Sequence, residues 1–282
     1  MAGPPLAVTG STGALGGLVA RGLAARGVPQ RLLVRTPERA PTLDGAVVLA
    51  SSYDDRASAV AALAGVETLL MVSASESVDR LDQHRTFVDA AAEAGVRRIA
   101  YTSFAGAAAD CTFTLGRDHW ATEEHIRASG MTPTFLRDSF YLDFVPLMVG
   151  EDGVIRGPAG DGRVSAVARA DVAAVAVEVL TNPASHAGTT YTLTGPEAFT
   201  LSEAAAVITV RTGRAVSYHD ETVEEAYESR RRWEAPDWQY DAWVSTYLAV
   251  AAGDMERVSP SVEELTGQPP QSLAEFLAGA GQ

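Results

Sequence analysis

A glycine-rich turn near the start of the chain has the residue types and spacing of a phosphate-binding site. The apolar run Leu6–Thr9 is followed by Gly10, Gly13 and Gly16. Gly10 can turn the chain sharply off a strand, Gly13 lets backbone approach a ligand, and Gly16 leaves room for a helix to pack against the strand. Apolar residues then recur at helical spacing, so the free N–H groups of that helix would point at the turn. Such amides bind an anion.

The context of the turn favours a dinucleotide as that anion. The spacing is Gly-x-x-Gly-x-x-Gly rather than the more common Gly-x-Gly-x-x-Gly, and an unliganded turn is the alternative interpretation. A strand before the turn, a helix after it and a second strand at 31–34 complete a βαβ unit of the expected length. We therefore predict a dinucleotide-binding turn made of Gly10, Ser11, Thr12, Gly13, Ala14 and Leu15.

An arginine at the end of the second predicted strand indicates which dinucleotide binds. Enzymes that use NAD usually carry an acidic residue there, to bond the adenosine ribose. This chain has Arg35 instead, and a guanidinium can pair with a 2'-phosphate through two hydrogen bonds. NADP(H) is therefore favoured. NAD(H) remains an alternative, because Arg35 can also stack on adenine without a phosphate.

Composition excludes several classes of protein. The chain has 282 residues, 46% of them hydrophobic, and a formal net charge of −14, which disfavours a nucleic-acid partner. Its one cysteine, Cys111, cannot form an internal disulfide, so we expect a reducing cytoplasm. No apolar run approaches the ~20 residues of a membrane span, and we predict neither a membrane nor a metal site.

All 22 basic residues are arginine, and this excludes several mechanisms. A Walker-type phosphate loop, a Schiff-base enzyme and the tyrosine-lysine pair of ordinary short-chain dehydrogenases each need a lysine ammonium. None of these is available to this chain.

Strand and helix patterns alternate along the first half of the chain. Such alternation predicts an α/β protein with a doubly wound parallel Rossmann sheet, which we place at residues 1–140. From 141 to 282 the elements become irregular. We predict a smaller α/β lobe there that holds the substrate, is intertwined with the first domain and contributes in part to its sheet. The predicted strands of the first domain are 6–9, 31–34, 46–49, 68–72, 98–102 and 132–136, and its later helices are 55–64, 81–94 and 118–128. In the second half we predict strands at 164–167, 189–193 and 215–218, and helices at 170–180, from 201 onward and within 222–252.

Further motifs along the chain fit one known family. They are Arg35, Asp54, Gln83-His84-Arg85, Ala94-Gly95-Val96, Tyr101-Thr102-Ser103, Thr122-Glu123, Gly160-Asp161-Gly162 and Arg169-Ala170-Asp171. With these motifs the chain resembles the NmrA-like group of atypical short-chain dehydrogenases/reductases, and within it the NADPH:quinone oxidoreductase type. The resemblance runs from Leu6 to about Leu201.

The resemblance implies positions for the cofactor residues. It places the phosphate turn at residues 10–15, the 2'-phosphate arginine at Arg35 and a position near adenine at Asp54. It also implies a loop beneath the ribose and nicotinamide, and a segment that flanks the nicotinamide. The loop is Ser73, Ala74 and Ser75, and the segment contains Asp138, Ser139 and Phe140. Relatives often have lysine where this chain has Glu124, which disfavours ordinary carbonyl reduction.

The missing lysine favours a particular class of acceptor. Hydride delivery to a ketone leaves an alkoxide that needs a proton donor, whereas a quinone yields a phenolate-like anion with a pKa of about 10. We therefore predict an NAD(P)H-dependent oxidoreductase that transfers hydride to a quinone or another planar aromatic acceptor, with polyketide-like compounds among the candidates. The alternative is an NADP(H)-binding redox sensor that regulates a partner without turnover. A homodimer is compatible with both interpretations.

Three residues are candidates for catalysis. His119 and Glu123 are four residues apart on one helical face, where they could face the cleft. A structural hydrogen-bonded pair would explain the same spacing. Tyr141 follows the sixth predicted strand, where it could cover the nicotinamide or bond the substrate oxygen, and simple packing would also explain it.

Overall fold

The structure, a computed structural model, describes residues 3–279. Its strands are β1 (Leu6–Thr9), β2 (Gln30–Val34), β3 (Ala46–Ala50), β4 (Thr68–Met71), β5 (Arg98–Phe104), β6 (Thr132–Asp138), β7 (Val154–Gly157), β8 (Arg163–Val164), β9 (Thr190–Leu193), β10 (Phe199–Thr200) and β11 (Ser217–Asp220). Its α-helices are α1 (Ala14–Ala25), α2 (Arg56–Leu63), α3 (Arg80–Glu93), α4 (Thr114–Ala128), α5 (Arg169–Thr181), α6 (Leu201–Thr212), α7 (Val223–Arg230), α8 (Asp237–Ala251), α9 (Ser261–Thr266) and α10 (Leu273–Gly279). Short 3-10 helices cover Pro37–Arg39 and Leu142–Met148.

Within residues 3–279, seven strands form one sheet in the order β3-β2-β1-β4-β5-β6-β9. The pairs β1–β2, β1–β4, β2–β3 and β4–β5 are parallel. In register, Val8 on β1 pairs with Leu32 on β2 and with Leu70 on β4. The order runs outward in both directions from β1, as in doubly wound dinucleotide-binding sheets. The predicted Rossmann architecture is confirmed.

Burial explains why these strands read as continuous apolar runs. Every residue of β1, β2 and β4 is buried, as expected for parallel strands covered on both faces. The edge strand β3 differs, since Val47 and Val48 are exposed. The six strands predicted in the first half lie within two residues of the observed bounds. Helix α4 begins at Thr114, four residues before its predicted start.

The described chain divides into two compact units, each made of several chain segments. The first unit contains residues 3–103, 118–137 and 172–191. The second contains 104–117, 138–171 and 192–279. The segment 172–191 follows the predicted boundary at residue 140 but belongs to the first unit, and the division at residue 140 with an intertwined second lobe stays a prediction. The core of the first unit includes Leu63, Leu69, Phe87, Ile126 and Phe135.

The second unit is built from shorter elements. Strands β8 and β10 pair antiparallel, and β7 and β11 pair parallel. The predicted strand at 164–167 shortens to Arg163–Val164, although Val167 still forms a bridge with Tyr141. Helices α6 and α7 each begin with a capping box, in which a threonine and a glutamate satisfy each other's backbone N–H groups. Within residues 3–279 no helix combines the length and apolar character needed to cross a bilayer.

Candidate functional site

The first unit contains a cavity of about 410 Å³ where strands β1 to β4 end. Its position beside β1, where the strand order runs in both directions, is the usual ligand site of an open α/β sheet. Its volume lies in the range of small-molecule pockets. The lining consists of Thr9, Gly10, Thr12, Gly13, Ala14, Leu15, Gly16, Leu33, Val34, Arg35, Ser51, Ser52, Tyr53, Asp54, Val72, Ser73, Ala74, Ser75, Glu76, Ser77 and Gln83. Most residues predicted to bind the cofactor are therefore brought together here.

The glycine turn has the geometry that its spacing predicts. Gly10 has a φ of 66°, which favours glycine, and its carbonyl accepts a hydrogen bond of 2.9 Å from the Gly13 N–H. A Cβ at Gly16 would lie 2.4 Å from the Gly10 carbonyl oxygen, so only glycine fits. Helix α1 begins at Ala14 without a side-chain cap and without an acidic residue in its first turn. Its first amides are therefore available to an anion.

Two buried hydroxyls in this region have no partner. Ser11 is 2% exposed and Ser51 is 8% exposed, and the Oγ atom of each bonds to nothing in residues 3–279. Buried polar atoms are normally satisfied. Ser51 lines the cavity directly, and Ser11 lies within the turn. The unsatisfied hydroxyls and the exposed amides fit a polar, anionic group such as a dinucleotide.

Arg35 and Asp54 form the polar rim of the cavity beyond β2 and β3. Arg35 is exposed directly after β2, and Asp54 is exposed in the loop after β3. The Ser52 hydroxyl donates to the Asp54 carboxylate, and together with the Arg35 charge it lowers the pKa of that carboxyl. Among residues 3–279 the Arg35 guanidinium forms no hydrogen bond or ion pair, and such a group beside the cavity suits a 2'-phosphate.

Tyr53 lines the cavity and was not anticipated from the sequence. Its hydroxyl donates to the Val72 carbonyl at 2.6 Å and lies 2.6 Å from Thr9 Oγ1. Thr9 Oγ1 in turn accepts the Val72 N–H at 2.9 Å. The ring packs on Phe87, with 4.4 Å between centroids. Tyr53 thus ties the ends of β1 and β4 together, a role that depends on contacts 19 and 44 residues away.

Neither His119 nor Glu123 lines this cavity. His119 is buried, with Nε2 at 2.9 Å from the Arg80 guanidinium and Nδ1 at 3.0 Å from the Tyr101 hydroxyl. Burial and the Arg80 charge hold the pKa of His119 well below its usual range. A neutral, enclosed imidazole is a poor general acid.

The Glu123 carboxylate is fully buried and occupied. Arg137 donates to both of its oxygens, at 2.8 and 2.7 Å, and Ser103 and Arg127 donate at 2.6 and 3.0 Å. The carboxylate oxygens of Glu123 are thus engaged by two arginines and a serine, and these partners all lie in the first unit. This arrangement favours the structural alternative for Glu123, and a catalytic role stays a prediction.

The remaining predicted residues lie in the second unit. Tyr141 donates a hydrogen bond of 2.7 Å to Asp138 Oδ2. Asp138 Oδ1 and Ser139 Oγ are buried and find no partner in the described part of the chain. Burial raises the pKa of the Asp138 carboxyl to about 8 and also raises the pKa of Tyr141. The Arg169 guanidinium lies 4.7 Å from the centre of the Tyr141 ring.

The raised pKa of Asp138 predicts a pH-dependent stability. Its carboxyl stays protonated in the folded protein up to about pH 8, whereas its ordinary pKa is 3.8. The folded state therefore binds more protons, so this group's contribution to stability is complete below pH 4 and is lost as the pH rises to 8. We expect the free energy of unfolding of Asp138→Asn, relative to that of the wild type, to rise by about 1.4 kcal/mol per pH unit from pH 5 to 8. Above pH 8 this difference should stay constant.

Urea unfolding at each pH measures this difference. Asp161→Asn removes an exposed carboxylate from the same unit and controls for the loss of one charge. A difference between Asp138→Asn and wild type that does not vary with pH would contradict the prediction.

Across residues 3–279 no group of three or more His, Cys, Asp or Glu side chains is placed to hold a metal ion. The sequence predicts a cofactor role for the turn, Arg35 and the loop after β4, but none for Ser51, Tyr53 or Gln83, which also line the cavity. Ser51 and Tyr53 belong to no motif, and the motif that contains Gln83 implies no contact for it, because only the tertiary structure brings the end of β3 and the start of α3 to the cavity.

Comparison with known proteins agrees with the fold. The model of the NmrA-like family matches residues 5–237. Quinone oxidoreductase 2 of Escherichia coli is 35% identical over 282 residues, covering 97% of each chain. The NAD(P)H azoreductase of Xenophilus azovorans is 31% identical over 274 residues, covering 95% of each. The crystal structure of an Escherichia coli NADPH-dependent quinone oxidoreductase complexed with NADPH has a TM-score of 0.90 at 34% identity, over 98% of this chain and 100% of that one. The chain therefore belongs to the NmrA-like family.

Proposed function

We propose that this protein is an NADP(H)-dependent oxidoreductase that transfers hydride to a quinone or another planar aromatic acceptor. The observation that carries the proposal is the cavity at the β1 turn, where uncapped helix amides, unsatisfied serine hydroxyls and Arg35 converge. The relatives of similar length that are named as quinone oxidoreductase and azoreductase support the same chemistry. They also favour an enzyme over a regulator.

Different residues of the cavity bind different parts of the cofactor. The turn from Gly10 to Leu15 holds the diphosphate through main-chain amides, and Arg35 holds the adenosine 2'-phosphate. When bound, the reduced nicotinamide supplies a hydride. The protein's own contribution is to bind and orient the two reactants, which can lower the barrier without any covalent step.

The residues present suit an acceptor that is already electrophilic. The chain has no lysine to protonate an alkoxide, and His119 and Glu123 are enclosed. Reduction of a quinone leaves a phenolate-like anion with a pKa of about 10, which solvent can protonate. Reduction of an aliphatic ketone would need a stronger acid at the site.

A direct test mixes the protein and NADPH with a panel of small quinones and azo dyes in a stopped-flow instrument. We expect loss of the NADPH absorbance that depends on both protein and acceptor. Binding of NADPH without acceptor-dependent oxidation across the panel would instead support the redox sensor. Absence of binding to any nicotinamide dinucleotide would overturn both interpretations.

Arg35 should determine the preference for NADPH over NADH. We expect Arg35→Gln to raise the Kd for NADPH roughly 10- to 100-fold, because a hydrogen-bonded charge pair is lost, and to leave the Kd for NADH within about twofold. Arg39→Gln removes another exposed arginine four residues later and serves as the control. Titration calorimetry measures both constants, and an equal loss for NADPH and NADH would show that Arg35 does not bind the 2'-phosphate.

We infer that the protein works in the cytoplasm. Cys111 is the single cysteine, and it is buried in the second unit. Burial raises the pKa of its thiol, which disfavours the reactive thiolate. A reducing compartment suits such a residue.

A further inference from the structure

A buried polar cluster of the first unit contacts the loop that follows β4. Arg80 and His84 lie on α3, Tyr101 and Thr102 on β5, and His119 and Thr122 on α4. Together these six residues are called the anchoring cluster. Each of them is at most 7% exposed. Burying an arginine and two histidines is costly unless their hydrogen bonds are satisfied, so the destination of those bonds is informative.

The bonds go to the backbone of the cavity loop. The Ser73 N–H donates to Thr102 Oγ1 at 2.8 Å, and the Ala74 N–H donates to His84 Nε2 at 2.9 Å. Arg80 Nε donates to the Ala74 carbonyl at 2.9 Å. Three polar groups of the loop backbone, which belong to the two adjacent residues Ser73 and Ala74, are thus held by side chains rather than by a strand partner. The same loop lines the cavity.

The direction of these bonds identifies the form of His84. A backbone N–H can only donate, so Nε2 carries no proton and accepts from Ala74. Nδ1 then carries the proton and donates to Thr122 Oγ1 at 2.9 Å, and the Thr122 hydroxyl donates to the Asp118 carbonyl at 2.7 Å. The chain of donors is complete only when His84 is neutral. Burial and the Arg80 charge lower the pKa of His84 well below its usual range, which is consistent with this form.

His119 and Asp118 fix Arg80 in turn. The guanidinium donates to His119 Nε2 at 2.9 Å and lies 3.4 Å from the Asp118 carboxylate. His119 Nδ1 therefore bears the proton and faces the Tyr101 hydroxyl. Arg80 is held from two sides while it contacts the loop. Because its buried polar groups bond one another, the cluster holds its side chains in fixed directions, which apolar packing alone would not do.

The strand order shows which half of a dinucleotide this loop would meet. β1 lies between β2 and β4, so the phosphate turn after β1 has Arg35 on one side and residues 73–75 on the other. If Arg35 holds the adenosine 2'-phosphate, the loop after β4 is on the side of the nicotinamide riboside. The backbone of this loop must then be correctly positioned for the nicotinamide riboside to bind.

We propose that the anchoring cluster is a positioning device that fixes the backbone of residues 73–75 to support the nicotinamide-riboside half of the cofactor, with His84 as its central residue. The inference rests on the proposed function, because it assumes a nicotinamide dinucleotide in the cavity. It assigns His119, placed on sequence grounds among the catalytic candidates, to the support of this loop. Neither histidine needs to touch the reacting atoms.

The test compares two substitutions of His84 with three ligands. His84→Leu removes both bonds, whereas His84→Gln keeps an acceptor for the Ala74 N–H and a donor for Thr122. We expect His84→Leu to lower the affinity for NADP⁺ and for NAD⁺ about tenfold in calorimetry. Its affinity for 2',5'-ADP, which lacks the nicotinamide riboside, should equal that of the wild type. His84→Gln should restore affinity to within about threefold. Arg35→Gln should show a different pattern: it should lower the affinity for 2',5'-ADP and NADP⁺ and leave the affinity for NAD⁺ unchanged.

Hydrogen exchange of the unliganded protein gives a second readout. The amides of Ser73 and Ala74 should exchange faster in His84→Leu than in wild type, and at wild-type rates in His84→Gln. His125→Gln, a half-buried histidine of α4 that pairs with Asp89, is the matched control. If His84→Leu does not fold, Thr102→Val removes the Ser73 anchor and is expected to give the same selective loss.

Two results would overturn the proposal. Unchanged loop exchange and NADP⁺ affinity in His84→Leu would show that the cluster does not position the loop, and equal losses for NADP⁺ and 2',5'-ADP would show a general structural effect. If the wild type binds none of the three ligands, the proposed function fails, and the exchange data still decide whether the cluster anchors the loop.

Discussion

Gly16→Ala is expected to reduce the affinity for NADPH at least about 100-fold. A Cβ at this position would lie 2.4 Å from the Gly10 carbonyl oxygen, 2.5 Å from its carbon and 2.7 Å from the Thr9 carbonyl oxygen. All three atoms are backbone, so no side-chain rotation can relieve the overlap. Either α1 moves away from β1 or the turn opens, and in both cases the helix amides leave the position that a diphosphate requires. Overpacking of this kind also costs about 1–3 kcal/mol of stability.

Gly22→Ala provides a control within the same helix. Its Cβ would meet a Val177 methyl at 2.8 Å and no backbone atom of another element closer than 4 Å, so the adjustment falls on the contact with α5 and not on the turn. Alanine also has a higher helix propensity than glycine, by about 1 kcal/mol. We expect Gly22→Ala to bind NADPH like wild type in calorimetry. If Gly16→Ala also bound NADPH with wild-type affinity, the turn would not be the diphosphate site.

Glu123→Gln is expected to lower the free energy of unfolding by about 3 kcal/mol. Breaking a buried ion pair by removing one partner costs about 3–5 kcal/mol. We take the lower end, because the side chains of Arg137 and Arg127 are 23% and 40% exposed and water can compensate part of their charge. The Ser103 hydroxyl also loses a charged acceptor. The effect arises because two guanidinium groups are left beside an uncharged side chain.

The neighbouring glutamate gives the matched control for this prediction. Glu124 is exposed and pairs only with Arg127 in the described contacts, so Glu124→Gln should change stability by at most about 0.5 kcal/mol. Urea unfolding compares the two variants. The kcat of folded Glu123→Gln should stay within about threefold of wild type. A stable Glu123→Gln protein that had lost turnover would restore Glu123 as a catalytic residue.

Local pattern was sufficient to predict the cofactor side of this protein. A diphosphate-binding turn needs glycines at set positions between a strand and a helix, and all of its residues lie within Leu6 to Leu23. Arg35 could be singled out because in this type of fold the residue that recognises the adenosine end follows the very next strand, and the structure places Arg35 on the lining of the cavity. The continuous apolar runs of β1, β2 and β4 likewise reflect burial on both faces, which is a property of each strand by itself.

The roles of the polar residues depended on the tertiary structure. His119 and Glu123 share a helical face in the sequence, but their partners come from α3, β5 and β6, and these partners decide that the imidazole is neutral and that the carboxylate is occupied. The sequence did not reveal the role of Tyr53 or the anchoring of residues 73–75, because each depends on contacts between residues 6 to 44 positions apart. Periodicity reports which face of an element is buried. The charge state of a side chain and the direction of its hydrogen bonds depend on the groups that pack against it. Only the assembled sheet and helices bring those groups together.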